Sequence, residues 1–473
     1  MKANPGKLKF CYIGGGSRNW AWVFIKDLAF EKEMAGTIHL YDIDPAAAKA
    51  NETIGNKVMD AYNKGQWKFI AETSLQTALE GSDFVFISIL PADFEEMSVD
   101  VHAPEKYGVY QSVGDTTGPG GINRALRTIP LYQDIARAIE KRAPDAWVLN
   151  YTNPMSVCTR TLYETFPKIK AFGCCHEVFG TQRLLGKVLV WAGKAEEGEV
   201  QREEIIINVL GINHFTWIIR ASWKNIDIFP LFEKFVDRFA EEGFSEGGDK
   251  SWLNDSFGSG QRVKMDLFRR FGIIAAAGDR HLAEFCPSSW YLNNPGLVES
   301  WQFGLTPVSW RIMRREELKQ KSEAYRNGAE SFVPEKSGEE GLRQIRALLG
   351  LGNLVTNVNL PNLGQVSGFP MGAVVETNAL FSRDNVQPVF AGSLPNALTN
   401  LVLQHVENQE GIVQAAVERD LGKAFRVFLN DPRIRALSRE QAWELFNEMT
   451  KKTLAPSFGY KRAFPKTNLN VVR

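Results

Sequence analysis

The first part of the chain alternates short apolar runs with amphipathic segments. The apolar runs predict three strands, at Lys9–Ile13, Thr37–Tyr41 and Trp67–Ala71. The amphipathic segments Trp20–Phe30 and Ala46–Tyr62 lie between these strands and predict helices. Runs that are apolar throughout, rather than at every second position, are typical of strands buried on both faces of a sheet.

The same alternation continues to about residue 174. The run Asp83–Leu90 (DFVFISIL) predicts a buried strand, and Asn123–Arg142 predicts a long helix. Two further strands are predicted at Ala146–Asn150 and Ala171–Cys174. Repeated βα units with buried strands favour an α/β protein whose N-terminal part is a doubly wound, Rossmann-like parallel sheet.

The pattern changes after about Lys194. Glu203–Leu210 and Phe215–Trp223 have the spacing of longer strands, which we expect to be antiparallel. Asn353–Val375 is rich in Asn, Gly and Pro and predicts loop and strand, whereas Leu394–Leu429 is amphipathic and predicts a helix. We therefore expect a mixed α+β part to follow the parallel sheet.

The polar, turn-rich segment Lys194–Arg202 is the predicted domain boundary. It divides the chain into an N-terminal Rossmann-like domain, residues 1–195, and an α+β domain, residues 196–473. A chain of 473 residues is long enough for two or three domains.

Composition narrows the classes of protein to consider. The 55 Lys and Arg residues balance the 55 Asp and Glu residues, which argues against nucleic acid or an anionic membrane as a partner. No run of about 18 apolar residues is present, so no membrane span is expected. The five cysteines show no paired spacing, and the first residues lack an apolar run of signal-peptide length. These features predict a cytoplasmic protein.

A glycine-rich turn follows the first predicted strand. Its residues that could face a phosphate are Gly14, Gly15, Gly16, Ser17 and Arg18. Glycines let the backbone approach a pyrophosphate closely, and the helix that follows offers free N–H groups. Asp42 ends the second strand, where a carboxylate binds the ribose hydroxyls of NAD and repels the 2′-phosphate of NADP. The sequence thus predicts an NAD site, with a glycine turn that binds no ligand as the alternative.

Polar segments follow two later strands and one strand-to-strand turn, at Tyr151–Met155, Gly173–Gly180 and Gly211–Phe215. Ligands of open α/β sheets gather at the carboxyl ends of the strands, where the first two segments lie. The thiolate of Cys175 and the imidazole of His214 could bind a divalent transition metal together. Taken singly, each could equally be a buried core residue.

These motifs together resemble a known family. In chain order they are GGGS, DTTGPGGINRALRTIP, YTNPM, CCHEV, GINHF, AAGDRHLAEFCP and NLPNLGQVSGFPMGAVVET. The series resembles glycoside hydrolase family 4, the NAD- and Mn-dependent glycosidases, over nearly the whole chain. Within that family, the tetrapeptide Cys175–Val178 (Cys-His-Glu-Val) resembles the α-galacturonidase branch.

The resemblance implies hydrolysis of α-linked galacturonides by oxidation at C3 with NAD, elimination, addition of water and reduction, assisted by a divalent metal. It also implies a homodimer or homotetramer. The alternatives within the family are α-glucuronidase and α-galactosidase activity. An alternative from another class is an oxidoreductase similar to lactate or malate dehydrogenase, which would accumulate NADH as the glycosidase would not.

The resemblance also implies roles for individual residues. Cys175 and His214 would bind Mn²⁺, and Asn153 would hydrogen-bond substrate hydroxyls near the metal. His176 stands where other branches place a general acid, and a histidine can protonate a leaving oxygen near neutral pH. His176 could instead orient the substrate.

The remaining candidates come from two other motifs. Asp279 is the first candidate for the base that removes the C2 proton and His281 the second, with helix capping as the alternative for Asp279. Asp115 is either a further catalytic acid or a capping residue. A uronate carboxylate calls for a cation, for which Arg280 and then Arg124 are the candidates.

Overall fold

The computed structural model describes residues 3–245, 258–305 and 307–461. Its strands are β1 Leu8–Ile13, β2 Gly36–Tyr41, β3 Trp67–Glu72, β4 Phe84–Ile87, β5 Trp147–Asn150, β6 Lys170–Gly173, β7 Ile205–Ile212, β8 Phe215–Trp223, β9 Ile226–Asp227, β10 Ile274–Ala275, β11 Leu354–Pro361, β12 Val374–Ser382 and β13 Asn385–Pro388.

The α-helices of the same ranges are numbered here in chain order. They are α1 Trp20–Leu28, α2 Pro45–Tyr62, α3 Leu75–Leu79, α4 Phe94–His102, α5 Gly118–Arg142, α6 Met155–Thr165, α7 Glu177–Trp191, α8 Phe229–Phe239, α9 Arg262–Phe271, α10 Asp279–Phe285, α11 Ser288–Tyr291, α12 Pro295–Ser300, α13 Val308–Asn327, α14 Gly341–Leu348, α15 Asn396–Val417, α16 Leu421–Asn430 and α17 Arg439–Thr453.

The larger sheet has nine strands in the order β13-β12-β11-β6-β5-β4-β1-β2-β3. Within the group β1 to β6, each pair of neighbouring strands is parallel. Their order, 3-2-1-4-5-6, is that of a doubly wound dinucleotide-binding sheet. The predicted α/β class and the Rossmann-like parallel sheet are therefore confirmed.

Alternate side chains of a central strand pack on opposite faces of this sheet. Phe84 and Phe86 of β4 belong to one apolar cluster with Phe24 of α1. Val85 belongs to a second cluster with Ile135 of α5. Helices cover both faces, which is why β4 is apolar at every position.

The three antiparallel strands β11–β13 extend the larger sheet beyond β6. The loop and strand predicted over Asn353–Val375 thus join the sheet that the N-terminal strands form. The division at residues 195 and 196 stays a prediction. The two strands predicted near 203–223 form an antiparallel pair in a second sheet, ordered β10-β8-β7, with β9 on β8.

The helical structure predicted over Leu394–Leu429 is confirmed, but it is divided into two helices, α15 and α16. Arg419 has a φ of 56° between them, and Asp420 accepts hydrogen bonds from the N–H groups of Gly422 and Lys423. This aspartate caps a new helix, so amphipathic periodicity alone did not reveal the break. Within the described ranges, no helix has both the length and the apolar content needed to cross a lipid bilayer.

Candidate active site

A cleft of about 1380 Å³ brings the separate motifs together. It runs from the glycine turn after β1 to the segments that follow β5 and β6, at the carboxyl ends of the parallel strands. The turn between β7 and β8 and the start of α10 form further parts of its wall. Every residue that the sequence analysis singled out for a role lines this cleft, except Gly15.

The glycine turn has a backbone that other residues could not adopt. Gly14 has a φ of 91°, and a Cβ atom there would lie 2.0 Å from the carbonyl oxygen of Ser88. The N–H of Gly16 donates to Oδ2 of Asp42 at 2.8 Å. The Asp42 carboxylate is thus tied to the glycine turn at the cleft edge, and burial raises its pKa.

The two polar residues of this turn have different surroundings. The hydroxyl of Ser17 accepts hydrogen bonds from the N–H groups of Asn19 and Trp20, so it supports the first turn of α1. Arg18 lines the cleft. Its charge partly opposes the rise in the Asp42 pKa that burial causes. Nε of Arg18 is buried with no hydrogen-bond partner among the described residues.

His214 lies in the two-residue turn that joins β7 to β8. It has a φ of 66° and is 3% exposed. Its Nδ1 lies 2.9 Å from the hydroxyl of Thr116, whose own proton is donated to Oδ1 of Asp115 at 2.7 Å. Because the Thr116 hydroxyl donates to the carboxylate, it must accept from Nδ1–H of His214. This network leaves the Nε2 lone pair of His214 for another ligand.

Asp115, His214 and His281 form a compact group in which the potential metal-binding atoms lie within 4.8 Å of one another. The two imidazole ring centroids are 3.7 Å apart. Burial and the neighbouring His281 lower the pKa of His214 to about 3, so its ring is neutral at pH 7. Burial by itself raises the pKa of Asp115, but the two histidines and Arg124 outweigh burial and lower the pKa to about 2.

Cys175 follows β6 and lines the same cleft, although it is not a member of that compact group. Burial and the charges of Glu376 and Glu177 raise the pKa of its thiol. The thiolate is therefore disfavoured unless a cation compensates the negative charges around it.

Glu376 of β12 is a site residue that the sequence analysis missed. Its side chain is 1% exposed, and it accepts hydrogen bonds from Asn357 at 2.7 Å, from Thr216 at 2.7 Å and from Asn213 at 3.4 Å. Asn357 also donates to the backbone oxygen of Cys175 at 3.4 Å. Glu376 thus connects the segment of Cys175 to the turn of His214. A lone glutamate in the apolar run of β12 is the signal that could have found it.

The side chains of His281 and Glu177 lie close together in the lining of the cleft. Nε2 of His281 lies 3.7 Å from Oε1 of Glu177, and the other carboxylate oxygen accepts from the N–H of Gly278 at 2.7 Å. Burial by itself raises the pKa of Glu177, but His281, His214 and His176 lower it to about 2. Glu177 is therefore an anion that orients α10 and its histidine.

His176 lies at the mouth of the cleft, with its side chain 47% exposed. Its ring stacks on Trp20 with centroids 5.5 Å apart, and its Nδ1 lies 3.1 Å from the Glu339 carboxylate. Burial lowers the pKa of His176, but the hydrogen bond and charge of Glu339 raise it above the ordinary value. Glu339 thus stabilises the protonated form of His176.

The Asn153–Pro154 peptide bond is cis. Nε of Arg124 donates to the backbone oxygen of Asn153 at 3.0 Å. Oδ1 of Asn153 is buried with no hydrogen-bond partner among the described residues. The Asn153 amide therefore has an acceptor available for a ligand in the cleft.

Asp279 is fully buried at the start of α10. Its two oxygens accept hydrogen bonds from the N–H groups of Val263 and Lys264, each at 3.1 Å, so it satisfies the first turn of α9. Burial raises its pKa to about 6. Arg280 is 4% exposed, and its guanidinium donates to backbone oxygens.

The family model for family 4 glycosyl hydrolases matches residues 9–191, and the model of the C-terminal domain of the same family matches residues 209–434. The chain belongs to family 4 of the glycosyl hydrolases. The resemblance carried by the sequence motifs is thereby confirmed.

Similar members of family 4 are known by sequence and structure. The chain is 57% identical to an α-galacturonidase of Thermoanaerobacter italicus, over 95% of this chain and 98% of the relative. A solved Bacillus subtilis structure, described as a putative glucosidase, is 49% identical with a TM-score of 0.89, and the match covers 94% of this chain and 99% of that one.

A more distant solved structure, a 6-phospho-α-glucosidase from gut microorganisms in complex with NAD and Mn²⁺, is 20% identical with a TM-score of 0.77. The match covers 94% of this chain and 98% of that chain. At that identity the likeness shows a common fold.

Proposed function

We propose that this protein is an α-galacturonidase that works with NAD and a divalent metal such as Mn²⁺. The observation that carries the proposal is the single cleft in which the glycine turn, Cys175 and the paired His214 and His281 meet. The 57% identity to an α-galacturonidase over nearly the whole of both chains supports the substrate class. The Cys-His-Glu-Val tetrapeptide supports it independently.

The residues at the glycine turn fit a dinucleotide. Gly14 leaves space where a side chain would meet the backbone of Ser88, so a pyrophosphate could approach the main chain. Asp42 would bind the ribose hydroxyls, and Arg18 would face the phosphates. Gly15 and Gly16 would complete the turn, with Ser17 supporting the start of α1.

The donor set beside the glycine turn fits a divalent transition metal. Cys175 and His214 would hold it, because a thiolate and a neutral imidazole can bind a divalent transition metal together, and a carboxylate nearby suits Mn²⁺. The carboxylate of Asp115 belongs to the compact group with His214 and His281, so it could serve as a further ligand. When bound, NAD⁺ supplies a hydride acceptor for a sugar carbon, and the metal supplies a Lewis acid for sugar oxygens.

The protein's own residues would handle the protons. His176, whose protonated form Glu339 favours, would donate a proton to the leaving oxygen. His281 would take the C2 proton, with Glu177 holding the imidazole in place. We assign Asp279 to helix capping instead, because both its oxygens already accept backbone N–H groups. Asn153 would hydrogen-bond a sugar hydroxyl through its unpartnered oxygen.

A panel of 4-nitrophenyl α-glycosides, assayed with NAD⁺, Mn²⁺ and a thiol, tests this function. The galacturonide should be hydrolysed fastest, ahead of the glucuronide and the galactoside. Hydrolysis should stop without metal, and NADH should not accumulate with product. Accumulation of one NADH per product would instead indicate a dehydrogenase, and preference for the galactoside would overturn the substrate assignment.

We also propose that the enzyme acts in the cytoplasm as a homodimer or homotetramer. All five cysteines are free thiols, which suits a reducing compartment. Exposed apolar side chains, at Leu363, Met371 and Phe390, favour burial against a second copy. Light scattering of the purified protein measures the mass of the assembly. A monomer at micromolar concentration would contradict the proposed homodimer or homotetramer.

A further inference from the structure

Arg311 lies in the first turn of α13 and lines the same cleft as Asp115 and Arg280. Its side chain is partly buried. Among the residues that the structure describes, no hydrogen bond or ion pair to the Arg311 guanidinium is found. This arginine therefore faces the cleft with its donors available.

Neighbouring arginines on the same helix are compensated. Arg314 pairs with Glu317 at 2.7 Å, and Arg315 pairs with Asp93 at 2.6 Å. Arg311, one turn before them, has no such carboxylate on α13. Part of this difference follows from spacing, because Arg314 has Glu317 three residues later, whereas Arg311 has Arg314 and Arg315 at i+3 and i+4.

Arg280, a second arginine of the cleft, donates to backbone oxygens. Arg280 donates from Nη2 to the backbone oxygen of Ser112 at 2.6 Å and from Nε to that of Gly304 at 3.2 Å. Carbonyl oxygens fix a guanidinium but do not cancel its charge. Arg280 therefore adds a second positive charge beside Arg311.

The electrostatics of the pair agree with this geometry. Burial and the charge of Arg311 lower the pKa of Arg280 to about 10. Burial also lowers the pKa of Arg311, and the negative charge of Asp115 partly offsets that effect. Asp115 already accepts the Thr116 hydroxyl proton and faces two imidazoles. Glu284, Glu177 and Asp115 all act on the Arg280 charge, whereas Asp115 is the carboxylate that acts on Arg311. The Arg311 guanidinium therefore favours an anionic ligand group in the cleft.

We propose that Arg311 binds the carboxylate of the uronate substrate and is the residue that makes the enzyme prefer galacturonides over neutral galactosides. The inference rests on the proposed function, since it names the group that reads the acid. A guanidinium with free donors can bind a carboxylate through two parallel hydrogen bonds. Arg280 and Arg124, the candidates from the sequence, donate to backbone oxygens and would position the site and supply charge.

The test compares two substrates on two variants and a control. The Arg311→Met variant, Arg311→Lys and the control Arg314→Met are assayed with the 4-nitrophenyl α-galacturonide and the α-galactoside. Arg314 is a matched control because it lies on the same helix and pairs with Glu317. Calorimetry with D-galacturonate and D-galactose gives binding without turnover, and the melting temperature reports folding.

We expect Arg311→Met to lower kcat/KM for the galacturonide about 10- to 100-fold and to change that for the galactoside less than about threefold. Arg311→Lys should recover part of the loss, because it keeps the charge but not the bidentate geometry. Binding of galacturonate should weaken by the same factor, and Arg314→Met should behave as wild type.

Two results would overturn the inference while leaving the enzyme's function intact. One is an equal loss on both substrates with an unchanged melting temperature, and the other is an unchanged galacturonide rate. If Arg311→Met does not fold, the calorimetry of Arg311→Lys decides. Unchanged galacturonate binding by Arg311→Lys would then overturn the inference. Wild-type enzyme that fails to hydrolyse the galacturonide would overturn both this inference and the proposed function.

Discussion

The hydroxyl of Thr116 lies 2.9 Å from Nδ1 of His214 and fixes which nitrogen of that ring carries the proton. Because Thr116 donates its own proton to Asp115, the imidazole must donate from Nδ1 and present the lone pair of Nε2. Thr116 is close to the start of α5, and His214 is at the turn between β7 and β8. A contact between two distant motifs thus sets the tautomer of the proposed metal ligand.

Replacing Thr116 with Val should therefore weaken metal binding without removing a ligand. We expect the Kd for Mn²⁺ to rise about 10- to 100-fold, as is usual when a hydrogen bond that orients a ligating histidine is lost. Titration of Mn²⁺ by electron paramagnetic resonance measures this. Thr161→Val is the control, because that buried hydroxyl bonds only within its own helix. Equal Mn²⁺ affinity in both variants would contradict the tautomer argument.

Replacing the proposed ligands themselves should have a larger effect. Cys175→Ser and His214→Ala should abolish hydrolysis and reduce Mn²⁺ binding below detection, while NAD binding stays within about twofold because the glycine turn lies elsewhere in the cleft. Equilibrium dialysis with each ligand separates the two effects. Full activity of Cys175→Ser in metal-stripped buffer would exclude the thiolate as a ligand.

Asp42 should determine the choice between NAD and NADP. Asp42→Ala should weaken NAD binding by about tenfold, since it removes a charged hydrogen-bond acceptor, and should narrow the preference for NAD over NADP. Fluorescence titration with both dinucleotides provides the measurement. Asp44→Asn is the control, because asparagine can still cap α2. An unchanged preference in Asp42→Ala would show that this carboxylate does not contact the ribose.

Asp279 should influence the pH dependence of stability more than catalysis. Its pKa is about 6 in the folded protein and near 3.9 in an unfolded chain. The folded state therefore binds the proton more tightly, and this carboxyl destabilises the fold as pH rises from about 4 through 6.

Asp279→Asn cannot ionise, so its stability relative to wild type should improve by about 2–3 kcal/mol between pH 4.5 and pH 7.5. Melting temperatures at the two pH values test the sign. If the variant instead melts like wild type at both and loses exchange of the C2 proton, Asp279 is the base.

Glu376 should stabilise the positions of the proposed metal ligands through its hydrogen bonds to neighbouring residues. Glu376→Ala leaves Asn213, Asn357 and Thr216 without their buried acceptor, which costs about 1–3 kcal/mol for each unsatisfied group. We expect a lower melting temperature and weaker Mn²⁺ binding together. Glu376→Gln, which keeps an acceptor oxygen, should recover much of the stability. A variant with normal Mn²⁺ affinity would show that this carboxylate serves only the fold.

The sequence by itself determined the α/β class, the glycine turn and the order of the family 4 motifs. These features depend on neighbouring residues: buried parallel strands are apolar at every position, and a turn such as that of Gly14 requires a φ that glycine alone adopts readily. They can therefore be recognised from short stretches of the chain.

Only the tertiary structure decided which polar side chains are available to a ligand. Asp279 and Arg280 are adjacent to His281 in the chain, yet Asp279 caps α9 and Arg280 donates to backbone oxygens. Arg311 resembles its neighbours Arg314 and Arg315 on α13, but it has no ion pair like theirs within the described part of the chain. The contacts of Asp279 and Arg280 join residues that are distant in sequence, and a buried polar group must be paired with whichever partner the fold brings to it. For that reason the contacts of Arg315 with Asp93 and of Arg280 with Ser112 could not be predicted from local spacing.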